Sequence, residues 1–173
     1  MARRRFDLFA ISERLMNMDD AAWARHANPW SVYSRMSVLP LMTLAIWSRV
    51  WLGWGALLPV LLVLVWTWWN PRAFARPART DNWASRGTFG ERVFLNREQV
   101  PVPHHHVTWA KGLAWVSGIG VIPWVYGLWA LHPGATLAGL ILMIGGKLWF
   151  VDRMAWLYQD MQDKHPDYAR WLH

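Results

Sequence analysis

The sequence predicts an all-α integral membrane protein: four transmembrane helices, an N-terminal interfacial helix and a cytoplasmic loop or cap. Three observations carry that reading. Long apolar stretches interrupt the 173-residue chain, Lys and Arg gather on one side of them, and sixteen Trp cluster near their ends. A soluble bundle is compatible with a mean hydropathy of +0.08. It is not compatible with runs such as Ala56–Trp69, which have no charge and no polar face. Such a helix is apolar all round and needs lipid or a large core.

The elements follow in chain order. Leu8, Ile11, Leu15 and Met18 recur at helical spacing among Arg3, Arg4, Arg5, Glu13 and Arg14, the pattern of a helix lying on the inner leaflet. No signal peptide is predicted, since this Arg-rich start leads into no apolar core with a cleavage site. Asp19 is placed as the N-cap of a short helix through Arg25, ended by Asn28-Pro29. Residues 1–35 thus form a cytoplasmic arm. Residues 36–69 form a first transmembrane hairpin, with short spans Met36–Trp51 and Trp54–Trp69 turning at Gly53. Asn70-Pro71 reads as helix punctuation. Residues 70–111 form the cytoplasmic cap, with Arg92–Asn96 as a brief strand or as part of a helix on the membrane. Residues 112–158 form the second hairpin, Gly112–Leu131 and Ala135–Met154, turning at His132-Pro133-Gly134, and residues 159–173 form a cytoplasmic tail. About 20 residues cross a ~30 Å hydrocarbon core, so the first two spans are short and the last two fit.

Orientation rests on charge. The arm, the cap and the tail hold the Lys and Arg residues, and the two tight turns hold none, which places both termini on the cytoplasmic side. Arg49, near the outer end of the first span, is the exception; it either snorkels or lines a pathway. A net charge of +7 beside membrane spans points to anionic lipids as partners rather than nucleic acid. Zero Cys excludes disulfides, thiolate catalysis and Cys-ligated metals. Ala114 with Gly118, and Ala135 with Gly139, have the spacing that lets membrane helices approach, within the bundle or in a homo-oligomer.

Several polar residues are candidates for function. Lys147, about 12 Å inside the fourth span by helix rise and preceded by two glycines, marks a cavity or a snorkelling anchor. Trp149, Arg153, Trp156 and Asp160 share one helix face at the inner boundary, where Arg153 can hold a phosphate or stack on a ring. In the cap, Arg92 and Asn82 are further headgroup-binding candidates, and Asp81, Glu91 and Asp152 are the candidate acid/base carboxylates. The alternative for Asp81 and Glu91 is pairing with neighbouring arginines. Three consecutive His, His104 to His106, cannot all face one ion on a regular helix, and they read as a solvated loop or a segment against headgroups. No metal and no cofactor are predicted.

Four segments together resemble an uncharacterised family of small prokaryotic membrane proteins: His26–Ser31, Asp81–Ser85, Gly90–Val93 and Lys147–Met154. The resemblance spans roughly Trp23 to Tyr168 and implies the polytopic fold and a prokaryotic inner membrane, but no activity. Lys164-His165-Pro166-Asp167-Tyr168 is faintly similar to the tail of isoprenylcysteine and phospholipid methyltransferases. Their paired Glu is missing, with Gln159-Asp160 at the nearest place, and so is an Arg-His-Pro cofactor motif. Three functions are open: a binder of lipid headgroups or small anions at the cytoplasmic face, a small enzyme acting on a lipid or prenyl substrate, and an oligomeric transporter or channel subunit.

Overall fold

The computed structural model describes residues 19–173, and the expected interfacial helix at residues 3–18 lies outside them. All regular structure in the described part is helical. Asp19 Oδ1 accepts from the Ala22 N–H at 2.6 Å and starts α1 (Asp20–His26). Asn28 ends that helix and caps the next, α2 (Pro29–Met36), with Pro29 in the first turn, where its missing N–H costs nothing. α3 (Val38–Trp47), α4 (Arg49–Leu52), a 3-10 turn (Gly53–Ala56) and α5 (Leu57–Ala73) follow.

Three helical stretches are long and apolar enough to cross a membrane, and the first is the 45-residue run Pro29–Ala73. A straight helix of that length would extend about 67 Å. Ser31 Oγ nevertheless donates to Asn70 Oδ1 at 3.0 Å, so the run doubles back, at Gly53, whose φ is +51°. α3 packs along α5. Asn70 does not end a helix as expected. α5 continues through Pro71 to Ala73, and Asn70 is fully buried, accepting from Ser31 and donating to Ser34 Oγ at 2.6 Å. A buried amide must find such partners, and here they clamp the two ends of the hairpin together.

The cap is built on α6 (Trp83–Leu95), started by Asn82, whose Oδ1 accepts from the Ser85 N–H at 2.9 Å. Arg92–Asn96 is therefore no strand; it is the last turn of α6 and its cap. α7 (His104–Trp129) begins well before the expected Gly112, because Pro103 breaks the chain there and the following residues wind directly into the span. The three histidines are its first turn rather than a loop, and His106 is buried. α7 closes with the His132 N–H on the Gly127 carbonyl at 2.8 Å across Leu131 at φ 54°, a Schellman-type end. His132 Nδ1 then caps α8 (Pro133–Met161), and a short α9 (Pro166–Ala169) ends the tail.

α7 and α8 pack along their length. The small residues at their contact are Gly120, Gly127, Gly139 and Gly146, whereas Gly118 faces open space, so only part of the predicted spacing lies at a contact. α6 crosses the C-terminal half of α8 most closely at Gly90, where a Cβ would fall 1.7 Å from the Met154 carbonyl oxygen. Around that crossing Phe89, Val93, Phe94, Met154, Leu157 and Tyr158 form a buried core. The outer stretches differ: on α5, Leu57, Leu58, Leu61, Leu62 and Val65 are exposed. That apolar exterior suits lipid.

Candidate functional site

Where α2, α3, α6 and α8 meet, charge and apolar surface adjoin one another. Gly87 and Gly90 bring α6 against Val151 and Met154, and the same face of α6 presents Glu91 to α8. Lys147 Nζ donates to Glu91 Oε1 at 2.7 Å and lies 4.7 Å from the Phe150 ring centroid. Arg35, on α2, is the second cation here; its Nε donates to the Ser31 carbonyl at 3.1 Å and its Nη1 to His26 Nε2. A cavity of about 150 Å³ is lined by these three charged residues and by Leu39, Met143, Ile144 and other apolar side chains.

The protonation states follow from the surroundings. Burial alone would raise the Glu91 carboxyl, but Lys147 and Arg35, helped by the Lys147 hydrogen bond, outweigh it and hold the group below its ordinary value. Glu91 is an anion. Burial holds the His26 imidazole well below its ordinary value, and Arg35, Lys147 and Arg72 push the same way. His26 is thus neutral and accepts from Arg35, while its buried Nδ1 has no partner. Two cations and one carboxylate leave a net single positive charge beside an apolar wall. That arrangement can hold a monoanion carrying a hydrophobic tail.

The other candidates occupy separate places. Arg153 sits 4.7 Å from the Trp156 ring and 5.9 Å from that of Trp109, with Asp152 Oδ2 3.3 Å away. Trp149 lies tilted against Trp109, with the ring centroids 5.4 Å apart. Asp152 also accepts from Trp83 Nε1 at 3.1 Å. Asp81 pairs with Arg86, as the pairing alternative has it, and Asn82 is occupied in capping α6. Arg92 pairs with Asp20 and lies 4.6 Å over Trp171, on the rim of a larger cleft of about 420 Å³. There Asp20 and Asp167 pair with Arg92 and Arg170, and Arg76 also lines the cleft. Arg49 donates to the Leu128 and Trp129 carbonyls, the latter at 3.1 Å, at the C-terminal end of α7. A cation there satisfies orphan carbonyls and the negative end of the helix dipole.

Sequence reasoning singled out Lys147 and Glu91 separately and missed Arg35 and His26. His26 and Arg35 are nine residues apart on two helices broken at Asn28-Pro29, and no periodicity links them. Residues 10–171 match a family of unknown function (DUF6653), and the chain belongs to that family. No curated protein and no solved structure matches it.

Proposed function

We propose that this member of the family is a four-span inner-membrane protein that binds an anionic lipid headgroup at the inner leaflet, in the cavity between Arg35, Glu91 and Lys147. One observation carries the reading: a net positive charge shares a 150 Å³ cavity with Leu39, Met143 and Ile144. That volume is below the ~300–1,000 Å³ of drug-sized sites, and suits a phosphodiester with its first methylenes. A charge at this depth is costly without a partner, and a lipid phosphate would complement the cation that Glu91 leaves over.

Lipid retained in mild detergent tests the site. The parent and Arg153→Ala are expected to co-purify with anionic phospholipid by mass spectrometry, and Lys147→Met and Arg35→Gln to lose it. Equal bulk lipid in all four proteins would sink the proposal. The topology is open to a direct test, because the chain has no Cys background. Single cysteines at Gly134 and Trp54 should react with an impermeant maleimide in intact cells, and one at Arg79 only after permeabilisation. Reaction at Arg79 in intact cells would overturn the orientation.

A further inference from the structure

His106 is the least expected residue of the cytoplasmic end: only 2% exposed, in the first turn of a helix, beside two other histidines. Its Nε2 lies 2.8 Å from Asp160 Oδ2, in the last turn of α8, and its ring centroid lies 4.1 Å from that of His105. One donor atom from each of His105, His106 and Asp160 falls within 4.8 Å of the others. We infer that these three side chains form a binding site for a divalent late transition-metal ion such as Zn²⁺ or Co²⁺.

The donor set is two imidazoles and one carboxylate, which suits a borderline-soft ion and excludes a hard-cation cage of oxygens. Two donors bound at about 2.1 Å to a tetrahedral ion lie roughly 3.4 Å apart, so the His106–Asp160 pair has to open by only about half an ångström. Loading would exchange the hydrogen bond between them for two metal bonds, and a neutral His106 would carry its proton on Nδ1. That nitrogen is buried without a partner, so loading, which moves the ring proton there from the Nε2 that donates to Asp160, leaves one unpaired N–H for the two metal bonds to offset. The positive end of α7 opposes a cation here, but the negative end of α8 offsets it. His105 and Asp160 are exposed, which leaves a path for the ion and a coordination position for water. Three consecutive histidines need not share one ion: two suffice once Asp160 arrives from 54 residues away.

The test is titration of tag-free, full-length protein in detergent with Co²⁺, read by visible absorption, and with Zn²⁺ as competitor. One ion per chain is expected, with affinity falling at least tenfold in both His105→Ala and Asp160→Asn. Both changes fall on exposed groups, and Asp160→Asn keeps an acceptor for His106, so thermal unfolding should hardly move. No saturable binding by the parent, or parental affinity in either variant, would overturn the site.

Discussion

Lys147 and Arg153 stand six positions apart on α8, and they are held in opposite ways. Lys147 reaches a carboxylate supplied by α6, keeps most of its side chain exposed (62%) and borders a cavity. Arg153 is three-quarters covered, and its neighbours are the rings of Trp156 and Trp109 and the adjacent Asp152. One cation is paired yet open to a further partner. The other is enclosed by side chains of its own helix and α7. A basic residue on a long apolar helix is thus defined by what its neighbours leave unsatisfied, not by its position along the helix.

The largest way to break the comparison is to lift α6 from α8. Gly90→Ala would drive a Cβ into the Met154 backbone, which cannot yield as a flexible side chain does. A loss of about 3 kcal/mol or more is expected, the upper part of the overpacking range. Gly118→Ala, into open space, should be neutral or gain up to about 1 kcal/mol from helix propensity. Thermal unfolding in detergent distinguishes the two, and equal melting temperatures would show that the crossing is not tight.

Removing the carboxylate sharpens the contrast. Glu91→Ala leaves Arg35 and Lys147 facing each other, and about 2–3 kcal/mol is expected, below the full cost of breaking a buried pair because Lys147 is exposed. Lys147→Met should cost only about 1 kcal/mol. A double-mutant cycle that returns no coupling would dissolve the pair as a structural unit.

The two regions were legible to different degrees. The Arg153 surroundings follow from spacing alone, since Trp149, Arg153 and Trp156 lie on one helical face, although Trp109 had to come from α7. The Lys147 surroundings do not. Glu91 is 56 residues away and Arg35 belongs to another helix, so only the packing allowed by Gly87 and Gly90 brings them together. The all-α fold and the apolar stretches were readable because a helix with an apolar exterior carries that composition in every exposed turn. Helix ends were less so, since Asn28-Pro29 and Asn70-Pro71 look alike. The first starts a helix, and the second lies within one, where Ser31 and Ser34 satisfy the asparagine.

Acid should affect the Lys147 side first. A depressed histidine pKa means the unfolded chain binds a proton before the folded one does. The stability that neutral His26 contributes is present above its unfolded value of 6.5 and is lost as pH falls toward the folded value. Glu91 has the same sign in a lower window, below 4.5. The melting temperature should therefore fall between pH 7 and 5, and His26→Gln should flatten that fall. An unchanged slope in the variant would show that another group controls it.

Arg153→Ala is expected to have a small effect, and it is the most discriminating change. The guanidinium loses two ring contacts, each worth about 0.5–1 kcal/mol where partly exposed, and a hydrogen bond to its half-buried neighbour Asp152. The rings remain packed on each other through Trp109 and Trp149, so the total should stay near 1 kcal/mol. Its Nε, however, is buried without a partner, and removing it relieves a desolvated donor. That gain offsets part of the loss, and Arg153→Lys, which keeps a charge without the planar stack, should be no better than alanine. If Arg153→Ala instead strips bound lipid while Lys147→Met keeps it, the contrast inverts. The tryptophan enclosure would then be the headgroup site, and the Lys147–Glu91 pair an internal strut between α6 and α8.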